Sequence, residues 1–207
     1  MCASPGTHSV RIEVSDDDFT DCIDGWTVEV VCGEETGTSG PAEYTFTCTL
    51  AGLPIPLPVS ITLNAEDPGF TEGTTTTLTS QLSYSVAPAV INLLPDLAPD
   101  SRIASVDTTV GVAGGMPTSI LYDATEAPNI LPFPPVGNFD STEVMTDITP
   151  DSGATEIVLS VDAFSAVVNG LPESLVAGGQ IELIAGEGDC GALEPVEGSG
   201  PLTFPVR

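Results

Sequence analysis

The chain has 207 residues, 41% of them hydrophobic, and sets 30 acidic side chains against three arginines and no lysine, for a formal charge of −27. That charge repels phosphate backbones and anionic membrane surfaces, and Arg11, Arg102 and Arg207 are too few and too scattered for the counterion release that drives nucleic-acid binding, so no nucleic acid is expected as a partner. The apolar content is enough to build a core, which excludes a disordered chain, and no apolar run reaches the ~18 residues that span a bilayer.

Met1-Cys2-Ala3-Ser4-Pro5-Gly6 shows neither a basic stretch nor an apolar run, so no secretion signal is read there; export would use a removed leader or another route, such as a virus particle. Alternation of apolar and polar residues with period two then dominates. Val10, Ile12 and Val14 make a first strand and Val28-Glu29-Val30-Val31 a second. Residues 33–41 have linker composition and divide an N-terminal Cys-bridged hairpin or assembly arm, 1–41, from a main domain, 42–207. The small piece is too short to fold alone without a bridge.

In the main domain, Tyr44, Phe46, Cys48 and Leu50 alternate with threonines, which directs one face to a core and the other to water. The same pattern recurs in Val59, Ile61, Leu63; in Leu82, Tyr84, Val86; in Val106, Thr108, Val110, Val112; in Val144 to Ile148; in Ile157, Leu159, Val161; in Ile181 to Ile184; and in Leu202, Phe204, Val206. Turn residues separate these runs, among them Glu66-Asp67-Pro68-Gly69, Gly114-Gly115-Met116-Pro117 and Pro150-Asp151-Ser152-Gly153. Pro88 to Leu97 could make a turn or two of helix, and the prolines of Ala127 to Pro135 forbid a regular ladder, giving an extended loop or a sheet-edge cover. The expected fold is an all-β sandwich, Ig-like or jelly-roll-like, of roughly ten short strands with a small N-terminal hairpin unit.

Five cysteines stand at 2, 22, 32, 48 and 190; none makes a CxxC pair and His8 is the single histidine, so a sulfur-type zinc site is not expected. Disulfides are the better reading. Four cysteines allow three connectivities, of which we favour Cys22–Cys32 and Cys48–Cys190. Cys2 is then left over, as a free thiol, an intermolecular bridge or the remnant of a lipid-modified terminus.

The Tyr44-Thr45-Phe46-Thr47-Cys48 strand, the Pro54 to Ala65 segment with its Pro-Val-Ser-Ile-Thr-Leu core, the Asp67-Pro68 and Glu72-Gly73 turns and the closing Gly188-Asp189-Cys190 resemble secreted actinobacterial β-sandwich domains of unknown function over about 42–207. The resemblance implies an exported domain with Cys48 bridged to Cys190, and it lends no catalytic residues.

Acidic clusters are the constellations that could carry chemistry. Asp16, Asp17, Asp18, Asp21 and Asp24 put five carboxylates within nine residues, an oxygen-rich loop of the kind that binds calcium, although the spacing is not that of an EF-hand. The plainer reading is a solvated loop that blunts an edge strand. Glu187 with Asp189, and Glu66, Asp67 and Glu72, read as turns. A serine hydrolase is not expected, because His8 sits beside Ser9 with no Gly-x-Ser-x-Gly elbow, and Trp26 is the only tryptophan to serve as a sugar platform. No phosphate loop is present.

The expectation is therefore a non-catalytic structural or adhesive module on an extracellular or virion surface. Its partner would be another protein or copies of itself in a homo-oligomer, with the Val10 to Val14 strand completing a neighbour's sheet, and with no cofactor unless calcium binds. The alternative is a carrier of an apolar ligand, with Pro88 to Leu97 and Leu131 to Val136 at the mouth of a cavity.

Overall fold

A computed structural model describes residues 6–14, 24–32, 40–49, 56–86, 101–123, 131–132, 139–140, 143–174 and 176–207, with the backbone alone over 6–14, 24–32, 131–132 and at 139. The chain divides into two compact units, Met1–Thr36 and Gly37–Arg207.

The first unit is a two-stranded antiparallel sheet of β1 (Gly6–Val14) and β2 (Asp24–Cys32), in register from Gly6↔Cys32 to Val14↔Asp24. This register places His8, Val10, Ile12 and Val14 on one face together with Asp24, Trp26, Val28 and Val30, and Thr7, Ser9, Arg11 and Glu13 on the other with Thr27, Glu29 and Val31. Of the expected Cys22–Cys32 pair, Cys32 ends β2 and Cys22 lies outside the described residues.

The second unit is the expected β-sandwich. One sheet runs β14-β3-β4-β5-β11-β7, from β3 (Ala42–Thr49), β4 (Pro56–Ala65), β5 (Thr76–Val86), β7 (Gly115–Met116), β11 (Val144–Pro150) and β14 (Glu194–Pro195), and β10 (Phe139–Asp140) joins β5. The other runs β13-β12-β6-β8, from β6 (Arg102–Ala113), β8 (Ser119–Asp123), β12 (Glu156–Asn169) and β13 (Gln180–Ile184), with β15 (Leu202–Pro205) beside β12 and β9 (Leu131–Pro132) beside β6. Among the described residues there is no helix. The Pro88 to Leu97 segment lies outside them, as does most of Ala127 to Pro135; Leu131–Pro132 form a two-residue ladder with Ile103 and Arg102.

Threonine, valine and isoleucine fill these strands because branched side chains pack well on a pleated surface. The inward positions Tyr44, Phe46 and Cys48 of β3, Leu57, Val59, Ile61 and Leu63 of β4, and Leu78, Leu82 and Tyr84 of β5 are buried against Val106, Val110, Ile157, Leu159 and Phe164 of the other sheet. Phe46 and Phe164 meet across the sandwich at 4.9 Å between ring centroids.

Two strands are longer or later than the alternation in the sequence announces. In β12 the buried series Ile157, Leu159, Val161 gives way to Phe164, Ala166, Val168, a change from odd to even positions. The register shift between Val161 and Ala163 explains it: Asp162 is the extra residue of a β-bulge, which keeps both halves facing the core. β8 buries only Ile120 and Tyr122, too short a signal to stand out as a strand.

The outer edge of β3 is covered by the segment 189–196. Thr49 N–H donates to Asp189 C=O (2.8 Å), Gly191 N–H to Thr47 C=O (2.8 Å), β14 pairs with Tyr44 and Thr45, and Val196 N–H donates to Glu43 C=O (2.9 Å). The Cys48–Cys190 disulfide fastens the cover, joining residues 142 apart in sequence. By the loop-entropy relation a bridge of that span contributes about 5 kcal/mol. The double variant Cys48→Ala, Cys190→Ala should lose on the order of 3–5 kcal/mol in guanidinium unfolding, and a loss below about 1 kcal/mol would show that the β3 edge is held without it.

Candidate interaction surface

Each acidic group singled out in the sequence has a defined place or lies outside the described residues. Asp16, Asp17, Asp18 and Asp21 lie outside; Asp24 opens β2 opposite Val14. Among the described residues no group of three or more His, Cys, Asp or Glu gathers to hold a metal ion. The weaker clusters are turn chemistry. Asp67 Oδ1 accepts the Gly69 N–H at 2.8 Å, Glu72 Oε1 accepts the Gly153 N–H at 2.8 Å, and Cys190 N–H donates to Glu187 C=O at 3.0 Å.

The outward face of the first sheet is a strip of small hydroxyls. Register puts Thr45 beside Ser60 and Ser60 beside Ser85, with Thr62 beside Ser83 in the next row. The strip is closed by its own bonds: Thr45 donates to Val59 C=O (3.1 Å), Ser83 to Asp140 (2.5 Å) and Thr77 to Asp147 (2.6 Å). On the other sheet, Gly111 leaves room for the Asp162 carboxylate, which accepts from Ser160 at 2.7 Å; a β-carbon at Gly111 would overlap that carboxylate.

The large hydrophobics left exposed among the described residues stand elsewhere. Met116 of β7 is 55% exposed, Leu121 of β8 64% and Met145 of β11 72%. β5 lies over β6 and β8, as the Tyr84–Thr108 and Ser80–Tyr122 bonds show, so β7, β8 and β11 border one lateral edge of the sandwich. Beyond β6, nothing among the described residues pairs with β8. Sequence alternation could not find this edge, because it marks what faces the core and not which strand lacks a neighbour.

Concave space is of two kinds. Open clefts of about 330 and 440 Å³ flank Gly40 and Pro41, lined by Glu66 and Glu143 on one side and by Glu43 and Glu197 on the other. Between the sheets, the space among Leu57, Val59, Tyr84, Ile103, Phe164 and Leu183 amounts to about 30 Å³, room for a single water.

The chain holds three tyrosines, and all three lie buried between the sheets. Tyr84 Oη meets Thr108 Oγ1 at 2.8 Å and Tyr122 Oη meets Ser80 Oγ at 2.5 Å; the Val161 backbone hydrogen-bonds the Tyr44 hydroxyl. Burial raises the pKa of all three, opposed in each case by that hydrogen bond. They are pushed away from the tyrosinate form that would act as base or nucleophile, and serve as neutral hydrogen-bonding groups.

Comparison with known protein families, with curated proteins and with solved structures finds no match for this chain. Among the described residues no helix is long and apolar enough to cross a membrane, and the disulfide fits an oxidising compartment.

The raised tyrosine values set an alkaline limit. Above pH ~10 the unfolded chain gives up tyrosine protons that the folded chain keeps, so stability is full below that pH and falls above it, by up to about 4 kcal/mol per pH unit for three groups. Tyrosinate absorbance at 295 nm should therefore appear together with loss of β-sheet circular dichroism in a pH 9–12 titration. Absorbance that rises near pH 10 in the folded protein would contradict the buried bonds.

Proposed function

We propose that this protein is a non-catalytic structural or adhesive module of an extracellular surface assembly, on a cell, a filament or a virion, and that residues 1–36 are its assembly element. The observation that carries this reading is the N-terminal two-stranded sheet. Its register collects Val10, Ile12, Val14, Trp26, Val28 and Val30 on one face, with His8 and Asp24 toward its ends, and a two-stranded hairpin of this size is marginal in water without a surface to cover it. The body has a buried core among the described residues 42–204 and its own disulfide, the marks of a unit with its own core. Display outside the cell is supported by the disulfide and by an acidic exterior that resists non-specific association. The resemblance to secreted actinobacterial β-sandwich domains points the same way.

The alternative role, carriage of an apolar ligand, calls for roughly 300 Å³ or more of enclosed apolar space, about ten times the inter-sheet cavity lined by the described residues.

Size-exclusion chromatography with light scattering tests the assembly reading. The full chain should run as an oligomer and the chain lacking residues 1–40 as a folded monomer; an oligomer that survives the deletion, or a full chain that is monomeric throughout, overturns it. If the Asp16 to Asp24 loop uses calcium in this role, EDTA will lower the mass of the full chain, and an unchanged mass removes the ion from the account. Mass spectrometry of the solvent-extracted protein should find no stoichiometric lipid; finding one would favour the carrier.

A further inference from the structure

We propose that the Cys48–Cys190 disulfide is a thiol-exchange site, with Cys190 Sγ as the sulfur that is attacked and a small thiol carrying a positive charge as the preferred partner. Every residue of the site belongs to the second unit, so the site stands apart from the assembly reading. The two halves of the bridge have different surroundings. Cys48 is completely buried in the core, whereas Cys190 is half-buried and forms part of the wall of an open cleft of about 280 Å³, with Thr49, Glu182, Ile184, Glu187 and Asp189. Of the pair, Cys190 is the one that lines this cleft. Exchange needs a thiolate to reach one sulfur of the bridge, and the cleft leads to Cys190. Backbone bonds hold it there: its N–H donates to Glu187 C=O (3.0 Å), and its neighbours are tied to β3 through Asp189 C=O from Thr49 N–H and through Gly191 N–H to Thr47 C=O, both at 2.8 Å.

In the exchange the incoming thiolate sulfur bonds to Cys190 Sγ as the bond between Cys190 and Cys48 breaks. The electron pair leaves on Cys48 Sγ, which takes up the proton that the incoming thiol gave up to solvent. The products are a mixed disulfide at Cys190 and a thiol at Cys48, and no other oxidant or reductant enters. Charge then selects among thiols. Glu182, Glu187 and Asp189 are exposed and line the cleft, and no basic residue is among its described lining. The attacking sulfur is already negative, so a carboxylate on the same molecule adds to the repulsion, whereas an ammonium group offsets it. At moderate salt the screening length of ~10 Å mutes the distant acidic surface and leaves these near carboxylates to decide the rate.

The test follows loss of the Cys48–Cys190 cross-linked peptide from the folded full chain in excess cysteamine, mercaptoethanol or mercaptoacetate, in moderate salt and without denaturant. Each rate is divided by the rate of the same thiol on a small neutral disulfide, which removes differences in intrinsic reactivity. Peptide mapping of samples quenched in acid during the reaction should find the mixed disulfide on Cys190 and the free thiol on Cys48. The corrected rates should fall from cysteamine to mercaptoethanol to mercaptoacetate, on the order of tenfold or more from first to last. In the triple variant Glu182→Gln, Glu187→Gln, Asp189→Asn the spread should shrink to within a few-fold. An adduct that stays on Cys190 in that variant shows that its fold persists. Adducts on Cys48, a bridge that resists all three thiols until the chain is unfolded, equal corrected rates in the natural chain, or a spread that survives the triple substitution would each overturn the proposal.

Discussion

Three hydroxyl groups fix how the two sheets of this sandwich sit on one another. Apolar contacts between sheets tolerate a slide of an ångström or two, because one methyl group substitutes for another, whereas a buried hydroxyl that loses its partner costs about 1–3 kcal/mol. Tyr44 reaches from β3 to the backbone of Val161, Tyr84 from β5 to Thr108, and Tyr122 from β8 back to Ser80. Two of these bonds run from the first sheet to the second and one runs in the opposite direction, so a single relative placement satisfies all three. The rest of the core, including the Phe46–Phe164 contact, packs within that placement.

This constraint explains the two polar residues on otherwise apolar inward faces. Ser80 interrupts Leu78, Leu82 and Val86, and Thr108 interrupts Val106, Val110 and Val112, yet both are buried. Alone, each would weaken its strand's hold on the core. Paired with a tyrosine from across the gap, each becomes a specificity device, the usual return for a polar group kept inside. Tyr44 works differently, since its partner is backbone at the β12 bulge, where Val161 precedes the extra residue Asp162. The bulge thus both resets the alternation of β12 and offers a backbone group to the facing sheet.

The sandwich was legible because period-two alternation reports burial directly: Tyr44 to Cys48, Val59 to Leu63 and Leu202 to Phe204 fall on β3, β4 and β15. The second half of β12 was not legible, since a bulge shifts the phase and makes Phe164, Ala166 and Val168 look unrelated to Ile157, Leu159 and Val161. β8 was hidden by its length, and β7, β9, β10 and β14 by being two residues each. Cys48–Cys190 could be read from sequence because an early strand and a late segment were expected to be tied together, and the structure brings the two together at the β3 edge. The candidate surface was the least legible part. That Val10, Ile12 and Val14 share a face with Trp26, Val28 and Val30 depends on register, and that β8 ends a sheet depends on topology, neither of which a single strand's pattern contains.

Charge sets the terms on which such a chain can associate at all. With 30 acidic residues and three arginines, two copies repel at any contact made from average surface, and the repulsion weakens only over the ~10 Å screening length of moderate salt. An interface must therefore come from the surface that departs from the average. Among the described residues, the large apolar side chains that do so are Met116, Leu121 and Met145. Of the arginines, Arg102 donates to the Ser101 carbonyl at 2.7 Å and the backbone of Arg207 is tied to Phe70 and Glu72, which makes both parts of the body, whereas Arg11 belongs to the N-terminal unit. An acidic exterior of this kind acts as a filter that disfavours random contacts between copies.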